Sequence, residues 1–432
     1  MKPHWLILTV CLLGLSVLGG SILLAQGNGT HQNYLPAVYR AEPSPTPTVT
    51  PTPSPTATGT PILATATPPP GAMTEFRGVW LTRFDWTSAT NVGTAVRLNE
   101  MVDNIAYAGF NAIFFQVRGT GDAFYTPGLE PWSARLNSNG QLGQDPGWDP
   151  LQTMINRAQQ HGIQVHAYIN VYPLWDCASI PPSDTVPQHL YYKVANEYGY
   201  SDGRLVGAQW DTSYKVDCSS YLRTSPASGF VDDHLLAVGK DLVTRYQVDG
   251  LHLDYIRYGG RNASCDPVSE SVFGGPCFSG GDGVYADWQR AQVNGTVWKF
   301  YQEVVPLKPG VLLSAAVWPQ YIDYWNWGGT EGYHDFYQDS KAWLAGGYID
   351  AISPMIYGSS FWSQEKWRIL TADFQASANG RFVYAGIGAD YENFSEISNR
   401  IAMGRELGIP GHAIFSYGAL AKWGYFDDLR NG

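Results

Sequence analysis

Three polar side chains fall close together in the run DGLHLDYIRY (249–258): His252, Asp254 and Arg257. Leu251 and Leu253 alternate with His252 and Asp254. A strand with leucines on one face packs that face against apolar neighbours, so the histidine and the aspartate share the other. Charge in a packed strand is costly unless it is paired or used. An aspartate so placed can act as a base or a nucleophile. Hydrolysis of a glycosidic bond then needs a second carboxyl group to protonate the leaving oxygen. The candidates for that group are Glu331 and Asp335, then Asp122, with Glu392 behind them. The structural alternative for Asp254 is an Asp–Arg ion pair that braces the fold. His252 reads as a hydrogen-bonded core histidine before it reads as an acid or base.

The same alternation recurs in three other segments. In NAIFFQVR (111–118), Gln116 and Arg118 oppose Ile113, Phe115 and Val117. In IQVHAYIN (163–170), His166, Tyr168 and Asn170 oppose Val165, Ala167 and Ile169. In AISPMIYG (351–358), Ser353, Met355 and Tyr357 share a face. Each polar face gains its most reactive group near the C-terminal end of its strand. Arg118, Asn170, Asp254 and Tyr357 are therefore expected to converge. Asp122 and Tyr125 follow the second segment closely, and Asp335 and Asp339, four residues apart, are expected to share a helix face.

The elements that must position these residues alternate along the chain. Strand-like runs at 77–83, 111–118, 163–170, 250–254, 311–317, 348–357, 381–387 and 411–416 are separated by helix-like runs at 95–108, 150–161, 231–246, 284–305, 333–345, 366–378 and 392–407. Short apolar strands alternating with helices predict a parallel sheet covered on both faces, and eight such units predict an α/β fold of the (β/α)8 TIM-barrel type. The long irregular stretches, 119–149, 171–229, 259–283 and 318–332, all follow strands. This places long loops at the C-terminal mouth of the barrel, where active sites of this architecture are built. Asp350, at the start of its strand, is expected at the opposite end.

Composition bounds the function further. Residues 5–25 form an almost unbroken apolar run, so 1–26 reads as a signal peptide or an N-terminal anchor, with a possible membrane tether. Residues 27–74 include a Pro/Thr/Ser-rich stretch that reads as an extended linker. The folded domain is expected over 75–432, outside the membrane. The formal charge of −11, with no run of Lys or Arg, argues against nucleic acid as a partner. Nine histidines show no metal-binding spacing, and no GxGxxG or GxSxG element occurs, so no metal or cofactor is expected. The 16 Trp and 27 Tyr suit either a large aromatic core or a groove that stacks on sugar rings. Trp132, Trp175, Trp318, Trp325, Trp327 and Trp362 fall in mouth loops and are candidates for stacking. Beyond the leader, four cysteines allow three disulfide connectivities. Cys177–Cys218 and Cys265–Cys277 are favoured, because each would close one loop region.

The segments FRGVWLTRFDW, AGFNAIFFQVRGTGDAFY, EPWS, GWDPLQTMINRAQQHGIQVHAYIN, VDGLHLDYIRY, KAWLAGGYIDAISPMIY and GHAIFSYGAL, in this order, resemble the glycosyl hydrolase-like family 10 proteins of bacterial envelopes. The resemblance runs from about Phe76 to the C-terminus. It implies a TIM-barrel glycosidase and a substrate among cell-wall glycan strands, particularly those lacking stem peptides. It also implies that Arg118, Asp122, Tyr125, Asn170, His252, Asp254, Asp339 and Tyr357 are mouth residues. Arg257 joins them as a candidate substrate-binding group through its place in the Asp254 strand. Many relatives read HFDDYFYP where this chain reads HLDYIRYG, so the second aspartate is replaced by Tyr255 and the proline by Gly259. The leading expectation is a secreted or surface-tethered glycoside hydrolase acting on a bacterial polysaccharide, most simply peptidoglycan strands, with Asp254 as nucleophile or base. The alternatives are a non-catalytic glycan-binding barrel, and a glycosidase on neutral exopolysaccharide or oligosaccharide.

Overall fold

A computed structural model describes residues 75–432, apart from 89–91, 127, 279 and 359–362. The leader, the linker and Trp362 lie outside the described residues. Eight parallel strands close into one barrel. They are β1 (Phe76–Leu81), β2 (Ala112–Arg118), β3 (Gln164–Asn170), β4 (Gly250–Asp254), β5 (Leu312–Val317), β6 (Ala351–Pro354), β7 (Phe382–Gly388) and β8 (Gly411–Phe415). Each pairs with its sequence neighbours, and β1 closes the ring on β8. The main helices between and after them are α1 (Ala95–Tyr107), α2 (Pro150–Gln160), α3 (Gly229–Arg245), α4 (Val284–Glu303), α5 (Ser340–Gly346), α6 (Gln364–Ala376), α7 (Ser395–Glu406) and α8 (Tyr417–Trp423). The chain is a (β/α)8 TIM barrel with its long loops at the C-terminal ends of the strands.

Side-chain alternation sorts the core into two layers. Outward residues such as Val79, Leu81, Ile113, Phe115, Leu251 and Leu253 pack under the helices. Inward residues, among them Phe76, Trp80, Phe114, Tyr168 and Tyr384, fill the barrel. Phe76 stacks on Tyr384 at 3.9 Å, and Phe114 on His252 at 4.0 Å. Gly250 is needed at this level: a Cβ there would lie 2.0 Å from His166 Nδ1. The barrel is a packed core with polar groups admitted singly. At its lower end, Asp350 accepts from the Leu313 amide at 2.8 Å and pairs with Arg381 at 3.2 Å.

The caps follow simple chemistry. Thr94, Asp149, Ser228 and Ser363 accept from backbone amides at the starts of α1, α2, α3 and α6. Several expected boundaries differ, such as the strand expected over 348–357, which is Ala351–Pro354, and two of the differences bear on the site. The first strand stops at Leu81, and Arg83–Trp86 is a helical turn fixed by a capping box between Thr82 and Asp85. The helix expected over 333–345 is broken into Gly332–Asp335 and α5, with Tyr337 in the left-handed region at φ 51°. Asp335 and Asp339 therefore do not share a helix face.

The disulfides are Cys177–Cys218 and Cys265–Cys277, with Cα separations of 5.7 and 5.2 Å. They tie down the loops after β3 and β4. The first loop also carries a short helix, Leu190–Tyr198, and a two-stranded pairing of Pro173–Trp175 with Leu222–Arg223. Among the described residues, no helix is long and apolar enough to cross a membrane.

Candidate active site

Asp254 stands at the C-terminal end of β4, in register with Asn170 of β3. Its Oδ2 accepts from the Tyr168 hydroxyl at 2.8 Å. Its Oδ1 accepts from the Tyr255 amide at 2.6 Å and from Arg257 Nη1 at 3.1 Å. All three neighbours donate, which suits a carboxylate, an acceptor on both oxygens. Tyr255 takes φ 51°, which turns the chain so that its own amide reaches back to Asp254. Burial, and then the charge of Asp254, hold the Tyr168 and Tyr357 phenols well above their ordinary range. Both are neutral hydrogen-bonding groups.

These residues open into a cleft of about 220 Å³ at the barrel mouth. Trp80, Tyr168, Met355, Tyr357 and Phe415 give it an apolar and aromatic wall. Thr82, Gln116, Asn170, Asp254 and Arg257 supply polar groups, and Arg83, Phe84, Tyr221 and Tyr255 form the rest of the rim with Ala316. The Oδ1 of Asn170 is buried without a hydrogen-bond partner among the described residues. A ligand hydroxyl or amide N–H in the cleft would satisfy it. Aromatic walls with a few convergent polar groups are the usual make-up of a ligand site.

Of the catalytic and substrate-binding candidates named from the sequence, Asn170, Asp254, Arg257 and Tyr357 line this cleft, with Gln116, Tyr168 and Met355 from the same strand faces. The other candidates, Arg118, Asp122, Tyr125, His252, Glu331, Asp335, Asp339 and Glu392, lie elsewhere, each for a visible reason. Arg118 is fully buried and turned away. It makes a bidentate pair with Glu130, at 2.8 to 3.0 Å, and donates to the carbonyls of Asn170 and Val171. The pairing of β2 with β3 shifts register between Gln116 and Arg118, so the strict alternation that put both on one face fails there. Asp122 turns its Oδ1 onto the Thr120 amide at 2.7 Å, as a loop cap. Tyr125 is fully buried, edge-on to Tyr246.

His252 lies one layer below the cleft. Its Nε2 accepts from Trp80 Nε1 at 3.2 Å, and its Nδ1 lies 2.8 Å from the Ser314 hydroxyl. Burial, and then the neighbouring His166, press its pKa well below the ordinary value, so it is a neutral structural imidazole. Glu331 accepts from the Asp323 amide and contacts His334. Asp335 pairs with Arg261 at 2.6 Å, and Asp339 caps α5 while accepting from Tyr321 at 2.7 Å. Glu392 lies beside Asp390 in a separate surface hollow. Asp254 is thus the only carboxylate lining the cleft among the described residues, and none of the undescribed residues beyond 74 is acidic.

None of the five described tryptophans proposed for stacking lines the cleft. Trp132 is buried in the core, Trp175 packs partly against it, and Trp325 stacks on Trp327 at 4.8 Å. Trp318 packs on Phe336 at 4.1 Å, and the Arg257 guanidinium lies 5.5 Å from its ring. The residues missed in the sequence are Trp80, Thr82, Arg83, Phe84, Tyr221, Tyr255 and Phe415. Trp80 had a signal, since it alternates with Val79 and Leu81. Tyr221 had none, because the disulfide-bonded loop that delivers it has no periodicity. Among the described residues, no group of three His, Cys, Asp or Glu could hold a metal ion.

Comparison with known proteins fits this picture. The chain is 28% identical over 326 residues to the glycosyl hydrolase DigH of Escherichia coli K12, covering 68% of each chain. It is 26% identical over 330 residues to the glycosyl hydrolase YngK of Bacillus subtilis 168, covering 73% of this chain and 60% of that protein. In fold, it resembles the PgaB (BpsB) glycoside hydrolase domain of Bordetella bronchiseptica, with a TM-score of 0.57 at 13% identity, covering 83% of this chain and 98% of that one. It also resembles α-L-fucosidase isoenzyme 2 of Paenibacillus thiaminolyticus, with a TM-score of 0.52 at 14% identity, covering 82% of this chain and 48% of that one. The family model described as glycosyl hydrolase-like 10 matches residues 75–381, the span that builds six of the eight barrel strands and the cleft wall around Asp254. The chain belongs to the glycosyl hydrolase-like 10 family.

Proposed function

We propose that this protein is a glycoside hydrolase of bacterial polysaccharide, with peptidoglycan glycan strands as its first substrate and Asp254 as the essential carboxylate, acting as nucleophile or base. Family membership supports a glycosidase. The observation that carries the reading is Asp254 itself, set at the barrel mouth under three donors and facing an aromatic cleft. Three donors hold the carboxylate in one orientation, which is what a base or nucleophile needs before it meets an anomeric centre. Asn170, Gln116 and Tyr357 supply hydrogen-bonding groups for sugar hydroxyls, and the aromatic wall suits the C–H faces of the rings. The two disulfides fit a place outside the cytoplasm, with 1–26 as signal peptide or anchor and 27–74 as the linker that displays the domain.

A second reading is favoured by one specific observation. Two-carboxylate hydrolysis needs a partner for Asp254, and no other carboxylate lines the cleft among the described residues. A barrel that binds glycan without cleaving it would need none. Incubating the full-length chain with peptide-free peptidoglycan strands and a panel of neutral polysaccharides, followed by mass spectrometry, separates the two. New reducing-end fragments from a glycan are the expected result. Retained binding with no fragments from any glycan would move the conclusion to the binding module.

A further inference from the structure

The cleft has a cationic wall that the chemistry at Asp254 does not use. Arg83 lines the cleft, is 5% exposed, and donates from Nη2 to the Tyr221 hydroxyl at 2.9 Å. Arg135, from the loop after β2, does not itself line the cleft but reaches the Phe84 ring, which does. Both guanidinium carbons lie over the ring of Phe84, at 4.3 Å and 4.6 Å from its centroid. Phe84 is 54% exposed at the rim. Arg257 and Arg223 nearby are neutralised by Asp254 at 3.1 Å and Asp217 at 3.2 Å. Arg83 and Arg135 have no carboxylate within 4.0 Å among the described residues. Asp122 is the acidic group with most influence on Arg135, yet its Oδ1 is turned onto Thr120. Burial first, and then the charge of Arg83, push the Arg135 pKa below its ordinary value.

Two guanidinium groups without a carboxylate partner among the described residues therefore meet on Phe84 at the rim of the cleft, in a chain whose formal charge is −11. Like charges held together and partly desolvated are unfavourable unless an anion joins them. The planar fork of arginine suits a carboxylate, which it can hold through two parallel hydrogen bonds. The Phe84 ring fixes both forks in place through cation–π contact, so the cost of ordering them is met before a ligand arrives.

We infer that Arg83 and Arg135, gathered on the Phe84 ring, form a subsite for a carboxylate carried by one sugar of the glycan. This rests on the glycan-cleft reading above and adds the charge that the glycan must carry. The carboxylate can belong to a uronic acid or to a lactyl ether on an amino sugar; the recognising chemistry is the same. Arg83 and Arg135 are specificity-determining here, with no part in bond cleavage.

The test measures binding and fragment release together, on the full-length chain. The ligands are peptide-free peptidoglycan strands and a polyuronate, each paired with its carboxyl-reduced form. At least one carboxylated glycan is expected to bind roughly tenfold tighter than its reduced partner, the scale of one charge-assisted pair. The pair that shows the preference names the source of the carboxylate. Arg135→Gln, at a half-exposed position, is expected to bring that ratio near one with the melting temperature retained, and Arg135→Lys to restore part of it. Arg83→Gln is expected to do the same wherever it folds. Equal binding of both forms in both pairs would overturn the subsite, as would a preference that Arg135→Gln leaves intact. A preference without any fragments would leave the subsite standing and remove the hydrolase reading. Fragments released equally from reduced and unreduced glycans, with equal affinity, would do the reverse.

Discussion

The Tyr168 hydroxyl lies 2.8 Å from Asp254 Oδ2, across adjacent strands of the barrel. One strand thus positions the carboxylate of the next, and the phenol has no other polar task in the cleft. In the proposed hydrolase, Tyr168→Phe removes this bond and keeps the ring that packs in the barrel. Hydrogen bonds to charged groups contribute about 1.5–3 kcal/mol, so kcat is expected to fall roughly 10- to 100-fold. Steady-state kinetics on the cleaved glycan, with a thermal melt alongside, check this. An unchanged kcat would show that Asp254 does not depend on its neighbour.

Arg118 illustrates the opposite case, a mouth residue by sequence that is a structural one by geometry. Its guanidinium and the Glu130 carboxylate are both fully buried and paired at 2.8 Å. Burial alone would raise the Glu130 pKa; the charge of Arg118 and the His234 contact outweigh it and hold that carboxyl far below its ordinary range. Removing one partner leaves the other charged and buried. Arg118→Ala is expected to cost about 3–5 kcal/mol of stability. Urea unfolding measures it, and a loss under about 1 kcal/mol would mean that the pair is not what holds this loop.

Much of the barrel was legible in the sequence because both faces of a parallel strand obey simple rules. Outward residues must be apolar under helices, as in Leu251 and Leu253, and the loops after strands carry the irregular sequence. Asn170, Asp254 and Tyr357 followed from the same alternation. The failures have local causes. A register shift in β2 turned Arg118 away, and a left-handed Tyr337 broke the helix that would have aligned Asp335 with Asp339. Arg83 was read as the end of a strand, when the Thr82–Asp85 capping box makes it the start of a turn aimed into the cleft. Periodicity does not reveal which loop residue reaches a distant strand, so Tyr221 had no signal.

The buried histidines predict acid sensitivity. Burial lowers the pKa of His166 to about 4 and, with some opposition from Glu75, that of His412 to about 4. Each is neutral in the folded chain, while the unfolded chain binds protons near pH 6.5. Their contribution is full above about pH 6.5 and is lost as the pH falls toward 4. At about 1.4 kcal/mol per pH unit, His166 alone accounts for roughly 3 kcal/mol by pH 4. Asp266 acts in the opposite sense, since burial raises its pKa to about 6 and acid relieves that cost. The net expectation is a urea midpoint that drops between pH 6.5 and 4.5. A midpoint that stays level across this window would contradict it.

The disulfides predict a graded loss on reduction. Cys177–Cys218 closes 41 positions and Cys265–Cys277 closes 12. Loop-closure entropy assigns about 4 and about 3 kcal/mol to them. The Cys177→Ala/Cys218→Ala variant is expected to melt lower than the Cys265→Ala/Cys277→Ala variant. It should also weaken glycan binding, because Tyr221 stands three residues from Cys218 and lines the cleft. Calorimetry and a binding titration on both variants check the order, and equal melting temperatures would contradict it.

The role of Asp254 is tested most sharply by the rate of reducing-end release from peptide-free peptidoglycan strands by the full-length chain and its Asp254→Asn variant. Asparagine keeps the size and part of the hydrogen bonding, but cannot act as nucleophile or base. Release by the parent is expected, with a loss of at least about 1,000-fold in the folded variant, of the size seen when an essential catalytic group is removed. Equal release by both proteins would take Asp254 out of the chemistry.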